Sequence, residues 1–158
     1  VLVLRALAGT QRPVRVRFAG SADEPQYGEE LAMLAHQLDI EPRVEWLGQV
    51  TEEEKRALYA HTLGVIFPPV DEDYGYVTLE AMLASKPLIT CTDSGAPLEF
   101  VQNEATGMIV EPSPQAMAMA MDRLWDDRDL ARTLGEAGRK RYDSLNISWE
   151  MVVERLTA

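Results

Sequence analysis

The chain has 158 residues, of which 46% are hydrophobic and 26% are charged. A chain of this length buries roughly two-thirds of the surface that its unfolded form would expose, so it can hold a core of its own. Its formal net charge of −11 argues against nucleic acid as a partner, because a duplex-binding surface needs clustered Lys and Arg. No apolar run approaches the length of about 20 residues that a membrane span requires.

Cys91 is the single cysteine, so a disulfide framework is excluded. It lies in the apolar run 87–91, where we expect a small buried side chain. A chain without disulfides suits a reducing compartment, and a cytoplasmic location is favoured. Residues 1–13 lack the features of a signal peptide, and we expect the chain to be a fragment of a longer protein.

Five short apolar runs rich in β-branched residues predict strands, and helical patterns lie between them. The predicted strands are 14–20, 44–48, 63–67, 87–91 and 107–110. Thr51 and Glu54 have the spacing of a capping box and predict the start of one helix. From Ser113 onward the pattern is helical, with the last helix predicted within residues 148–156.

Strands that alternate with helices imply right-handed βαβ units and a mostly parallel sheet. We therefore predict an α/β fold, a Rossmann-like open parallel sheet with helices on both faces, formed by residues 1–158 as a single domain. Ligands of such sheets bind beyond the carboxyl ends of the strands. The loop after the first strand lacks the G-x-G-x-x-G pattern, so a nicotinamide-dependent dehydrogenase is not expected.

The loop after the third predicted strand carries three consecutive acidic residues, 71–73. Asp71 and Asp73 form a D-x-D pattern, which can hold a divalent cation that bridges two phosphates. A solvated acidic loop without function is the alternative. The D-x-D pattern alone does not decide between these readings.

The helix that follows this loop provides a different kind of site. Gly75 permits a tight turn, and the unpaired amides and positive dipole end of the helix favour an anion such as phosphate. Glu80, in the second turn, can accept two hydrogen bonds from the vicinal diol of a ribose. Glu72 can accept from the hydroxyls of a second polyol. Together these groups predict a nucleotide-sugar site.

The motif E-x7-E from Glu72 to Glu80, within residues 68–101, resembles the group-1 glycosyltransferase family. Segments 43–62, 103–124 and 139–156 also match the family's series of motifs, so the resemblance covers nearly the whole chain from residue 14. The resemblance implies the C-terminal, donor-binding domain of the two-domain GT-B fold.

The resemblance assigns roles to eight residues. Glu80 would bind the ribose hydroxyls, and Glu72 would contact the transferred sugar at the catalytic centre. Four residues would offer backbone amides to sugar hydroxyls or phosphate: Asp73, Tyr74, Gly75 and Tyr76. The backbone of Val50 would meet the nucleobase, with Glu52 beside it.

The resemblance also implies a reaction and its partners. The donor would be a UDP- or GDP-linked sugar, with no cofactor and no metal, which favours the nucleotide-sugar site over the cation site. An N-terminal domain outside these residues would bind a glycan or glycolipid acceptor, and the sugar would be transferred to its hydroxyl with retention of configuration. The Arg and Lys that clamp the diphosphate would lie before residue 1, so the isolated chain is expected to be inactive.

The whole protein would be cytoplasmic, or associated peripherally with the inner face of the cell membrane, as enzymes of polysaccharide biosynthesis often are. Two alternatives remain open. A GT-B sugar-nucleotide epimerase would keep the fold and change the chemistry. A Rossmann-like binding module would bind without catalysis.

Overall fold

The computed structural model describes residues 1–21 and 24–146, in which helices and strands alternate. The helices are α1 (Leu2–Gly9), α2 (Pro25–Gln37), α3 (Glu52–His61), α4 (Tyr76–Leu83), α5 (Pro97–Phe100), α6 (Pro114–Asp126) and α7 (Arg128–Leu145). The strands are β1 (Val16–Ala19), β2 (Val44–Gly48), β3 (Val65–Ile66), β4 (Leu88–Cys91) and β5 (Gly107–Val110).

All strand pairs are parallel, and helices cover both sides, which confirms the predicted α/β fold class. The ladders form two groups: β1 pairs with β2, and β4 pairs with both β3 and β5. Within the described residues, no ladder joins the two groups. They nevertheless share one interior, because Val3, Val14 and Ile66 pack against both of the larger hydrophobic clusters.

The core lies mainly between α6 and the β4–β5 pair. Met117 and Met121 of α6 are fully buried, at 0% and 3% exposure, and they belong to the same cluster as Ile89 and Met108 of the sheet. Helix α1 also packs on α6, and its Leu4 and Leu7 extend the core toward β1. The strand β4 is buried along its whole length, as expected for a central strand of a parallel sheet covered on both faces.

The predicted strands 44–48 and 107–110 have the observed bounds, whereas the other three are shorter than predicted. The run 87–91 forms β4 from Leu88 onward. The run 63–67 contributes only Val65 and Ile66 to β3. The amides of Val65 and Phe67 donate to the carbonyls of Pro87 and Ile89 in β4 and its approach. The next donor on that side would be residue 69, a proline without an amide hydrogen, so the ladder ends there. The run 14–20 forms β1 only from Val16 onward. The carbonyl of Val14 instead accepts a hydrogen bond from the Arg43 side chain, at 2.9 Å.

Local predictions are confirmed at the start of α3 and at the cysteine. The Thr51 hydroxyl accepts from the Glu54 amide at 3.2 Å, and the Glu54 carboxylate accepts from the Thr51 amide at 2.7 Å. Cys91 is buried, and burial raises the pKa of its thiol to about 11.

The helix α1 was not predicted, and the helix predicted within residues 148–156 lies outside the described residues. None of the described helices is long and apolar enough to cross a membrane.

The turn after α4 is held against α7 by a close contact between backbones. Ser85 has a φ of +56°, and its carbonyl faces Gly135 of α7. A Cβ atom on Gly135 would lie 2.1 Å from the Ser85 oxygen. Only glycine permits this approach, which fixes α4 relative to the rest of the domain.

Replacing Gly135 with alanine is therefore expected to destabilise the fold. The added methyl group meets backbone rather than a flexible side chain, so we expect the free energy of unfolding to fall by roughly 2–3 kcal/mol. Urea denaturation followed by circular dichroism measures this change.

Gly138→Ala is the matched control in the same helix. The nearest atom to its Cβ would be the Thr106 oxygen at 3.4 Å, which is ordinary contact. Alanine is the better helix former, so this variant should be neutral or more stable by up to about 1 kcal/mol. Equal losses in the two variants would contradict the importance of the Ser85 contact.

Candidate functional site

Two loops meet beyond the carboxyl ends of β3 and β4. The Asp71 amide donates to the Asp93 carbonyl at 3.0 Å, and the Glu72 amide donates to the Ser94 carbonyl at 3.2 Å. The Glu72 carbonyl in turn accepts from the Ala96 amide at 2.8 Å. Backbone hydrogen bonds therefore hold the acidic segment 71–73 in place, although it lies outside the regular strands.

Gly95 makes this pairing of loops possible. Its φ is +72°, and a Cβ atom there would lie 2.6 Å from the Glu72 nitrogen and 2.7 Å from the Glu72 oxygen. A side chain at this position would push the two loops apart. The position of Glu72 depends on a residue 23 places further along the chain.

Gly75 caps the start of α4. It is buried, with φ 64° and ψ 33°, and its Cα faces Pro97 at the start of α5. In the described part of the chain, the amides of Tyr76 and Val77 donate to no acceptor. Free amides and the positive end of the helix dipole make this turn attractive to an anion.

The Glu72 side chain turns toward the amides just before α4. Its Oε1 lies 3.4 Å from the Tyr74 nitrogen and 3.5 Å from the Gly75 nitrogen. These distances are at the long limit for hydrogen bonds, so the contacts are weak. The half-buried carboxylate is near the helix start without being tightly bound there.

Glu80 is held by two side chains of α3. Its Oε1 accepts from the Lys55 ammonium at 2.8 Å, and its Oε2 accepts from the Tyr59 hydroxyl at 2.9 Å. Lys55 also contacts the Glu52 carboxylate at 2.9 Å. The Glu80 side chain keeps 36% of its surface exposed, so its remaining lone pairs are accessible to a ligand.

Both partners of Glu80 have shifted pKa values. Hydrogen bonds to Glu80 and then to Glu52 raise the pKa of Lys55, which stays protonated. Burial, followed by the hydrogen bond to Glu80, raises the pKa of Tyr59. At neutral pH, Glu80 thus faces one cation and one neutral donor.

Val50 and Glu52 lie at the start of α3. Val50 is half-buried and lines a cavity of about 310 Å³ between the end of β2 and α3. Leu47 and Leu58 provide apolar walls, whereas Glu72 and Glu80 do not line this cavity. Glu52 is exposed and is joined to Glu80 through Lys55.

The remaining predicted residues, Asp73, Tyr74 and Tyr76, are exposed to solvent. Asp73 is exposed, and the rings of Tyr74 and Tyr76 stack with their centroids 5.7 Å apart, each 66% exposed. Among the residues that the structure describes, no group of three His, Cys, Asp or Glu side chains is placed to hold a metal ion.

The structure thus forms two groups from the predicted residues. One is Glu72 with the start of α4, and the other joins Glu80 to Glu52 through Lys55. The contacts of Lys55, Tyr59 and Gly95 with this site were not predicted from the sequence. The i, i+4 spacing of Lys55 and Tyr59 places them on one face of α3, but nothing in the sequence indicates that this face meets α4.

A family model described as glycosyl transferases group 1 matches residues 1–141. The chain belongs to the group-1 glycosyltransferase family. This confirms the resemblance carried by the E-x7-E motif and its flanking segments.

Sequence relatives of this chain support the same assignment. The alpha-1,3/1,6-mannosyltransferase of Homo sapiens is 32% identical over 133 residues, which cover 81% of this chain and 32% of the relative. The D-rhamnosyltransferase WbpZ of Pseudomonas aeruginosa is 30% identical over 148 residues, 91% of this chain and 37% of the relative. The chain spans about a third of the length of these curated relatives.

Solved glycosyltransferase structures share the fold. Sucrose-phosphate synthase from Thermosynechococcus elongatus superposes with a TM-score of 0.86 at 26% identity, covering 99% of this chain and 40% of that chain. Anabaena HepE in complex with UDP superposes with a TM-score of 0.86 at 25% identity, covering 99% of this chain and 44% of the HepE chain.

The contact between Gly95 and Glu72 predicts that Gly95→Ala destabilises the domain and displaces the acidic segment. A left-handed alanine costs roughly 1–2 kcal/mol, and the clash with Glu72 backbone adds about 1–3 kcal/mol. Chemical denaturation gives the stability, and amide chemical shifts of residues 71–75 report the displacement.

Gly48→Ala separates the two costs. Gly48 also has a positive φ, of +62°, but nothing lies within 4 Å of its added Cβ. Gly48→Ala should lose only the stability that a left-handed alanine costs, and it should leave the amide chemical shifts of residues 71–75 unchanged. If Gly95→Ala behaves in the same way, the close approach to Glu72 is unimportant.

Proposed function

We propose that this chain is the domain of a glycosyltransferase that binds a nucleoside-diphosphate sugar. In the proposed complex the diphosphate lies at the start of α4, the ribose at Glu80 and the transferred sugar at Glu72. The observation that carries this proposal is the fixed Glu80 carboxylate on the same helix whose first amides are free.

The dimensions of α4 support this arrangement. Glu80 is five residues after the Gly75 cap, which is roughly 7 Å along the helix axis. Side chains on a helix lean toward its N-terminus, so the Glu80 carboxylate is directed back toward the anion-binding end. A nucleotide that places its phosphate on the first turn brings its ribose near that carboxylate.

The charges of the site also suit a nucleotide. The protein is strongly acidic, and an unpaired Glu80 would repel a diphosphate. Lys55 compensates the charge of Glu80 and leaves lone pairs for the neutral ribose hydroxyls.

The backbone of Val50, on the wall of the cavity beside α3, is the proposed contact for the base. Asp73, Tyr74, Gly75 and Tyr76 are the proposed sources of amide contacts, with Glu52 beside the base.

A UDP- or GDP-linked sugar is the proposed donor, and the comparisons support a nucleotide-linked one. HepE structures hold UDP or UDP-glucose, and several sequence relatives are mannosyltransferases. Other relatives are the capsular polysaccharide biosynthesis glycosyltransferase CapM and the O-antigen chain mannosyltransferase C. These names favour a glycan or glycolipid as the acceptor, which a further domain of the whole protein would bind. A cytoplasmic location, with peripheral association at the inner membrane face, suits such an acceptor.

The proposed transfer is metal-independent, needs no cofactor and retains configuration. The bond between the anomeric carbon and the diphosphate breaks, and the electron pair leaves with the nucleoside diphosphate. The α4 dipole stabilises the developing charge. An acceptor hydroxyl attacks from the face that the leaving group vacates, and its proton passes to the departing phosphate oxygen.

Calorimetry of the chain with UDP, GDP and ADP, with and without Mg²⁺, tests donor binding. We expect UDP or GDP to bind without Mg²⁺. Glu80→Ala should weaken this binding by roughly tenfold to a hundredfold, because a charged acceptor of two hydrogen bonds is lost.

Glu136→Ala is the control, since Glu136 is exposed on α7. It should bind as the wild type does. Binding that requires Mg²⁺ and survives Glu80→Ala would overturn the nucleotide-sugar site in favour of a cation at Asp71 and Asp73. Binding without sugar transfer, once the whole protein is supplied with an acceptor, would favour an epimerase or a binding module.

A further inference from the structure

The carboxylate of Glu80 is held at both oxygens by one face of α3. Lys55 donates to Oε1 at 2.8 Å and Tyr59 donates to Oε2 at 2.9 Å. The two residues are one helical turn apart, and the capping box of Thr51 and Glu54 fixes where that helix begins. A carboxylate with both oxygens occupied on one side cannot rotate freely.

This arrangement leaves a defined set of lone pairs. A carboxylate has about four acceptor positions, and α3 uses one on each oxygen. The remaining position on each oxygen is available to a pair of donors, and a vicinal diol supplies two hydroxyls at adjacent carbons. A side chain that is fixed before binding loses less entropy when the ligand arrives.

We propose that Tyr59 and Lys55 are positioning residues that hold the Glu80 carboxylate for a ribose diol, and so make this domain selective for ribonucleotides over 2′-deoxyribonucleotides. The proposal rests on the proposed function, because it assumes that Glu80 meets the ribose.

Tyr59 and Lys55 contribute in different ways. Tyr59 is half-buried, and the raised pKa of its hydroxyl keeps it protonated and donating to Glu80. Lys55 adds charge compensation for Glu80 and Glu52. Loss of the tyrosine hydroxyl therefore releases Oε2 of Glu80 without changing the charge of the site. Loss of the Lys55 ammonium releases Oε1 and also changes the charge of the site.

The test compares UDP and GDP with their 2′-deoxy counterparts by calorimetry, in the wild type and in Tyr59→Phe. The wild type should bind the ribonucleotide roughly tenfold more tightly than the deoxynucleotide, the value of one hydrogen bond to a charged group. Tyr59→Phe should weaken ribonucleotide binding by roughly three- to tenfold and deoxynucleotide binding by less than twofold.

Three further variants complete the design. Tyr27→Phe removes a hydroxyl from exposed Tyr27 on α2 and should change neither affinity. Lys55→Met should weaken ribonucleotide binding more than Tyr59→Phe does, and Lys55→Arg should restore part of it. Urea denaturation of each variant identifies any that do not fold. If Tyr59→Phe does not fold, the nucleotide affinities of Lys55→Met and Lys55→Arg test the positioning role instead.

The outcomes distinguish the two proposals. If the wild type binds neither UDP nor GDP, or binds ribo- and deoxynucleotides equally, the proposed function of Glu80 fails and this inference fails with it. If the wild type binds ribonucleotides more tightly than deoxyribonucleotides and Glu80→Ala does not, Glu80 binds the ribose diol. The positioning role is then overturned if folded Tyr59→Phe and Lys55→Met keep the wild-type discrimination.

Discussion

The candidate site depends on the close approach of the loops that follow β3 and β4. Parallel neighbouring strands bring these loops together, but the contact requires Gly95 in the left-handed region with its backbone against Glu72. Glu72 therefore occupies a fixed position although it belongs to an irregular segment. Pro97, two residues after Gly95, packs against Gly75, which caps α4. The loop that holds the backbone of Glu72 therefore also contacts the start of the helix beside it.

The second fixed element is α3, which starts at a complete capping box and presents Lys55 and Tyr59 to α4. No residue of α3 is fully buried, but Tyr59 packs against the cluster that contains Ala81 of α4. The polar contacts with Glu80 add to this packing between α3 and α4. Removing Glu80 affects the position of α3 as well as the ligand, which is why the ligand-binding comparisons need a folding control.

The sequence predicted the order of the strands and helices well, because β-branched runs and helical spacing are local signals. Strand ends were less accurate where long-range contacts decide them, as at Val14, whose carbonyl is taken by Arg43. The E-x7-E motif predicts roles for Glu72 and Glu80, but it does not predict the contacts of Glu80 with Lys55 and Tyr59. Those contacts arise from packing between two helices, and no periodicity within either helix encodes them. Gly95 was missed for the same reason, since its requirement lies in a neighbouring loop.

The acidic character of the chain sharpens the interpretation of the site. A net charge of −11 repels anions at a distance, so an anionic ligand needs compensation within the site itself. The described residues provide it in two forms: the dipole and free amides of α4, and the ammonium of Lys55. Neither is strong enough to replace a cluster of basic side chains. Under the proposed function, basic residues elsewhere in the whole protein would add affinity for the diphosphate. Nucleotide binding by this chain that is weak but still distinguishes ribose from deoxyribose would fit that division, in which α3 and α4 supply the selectivity.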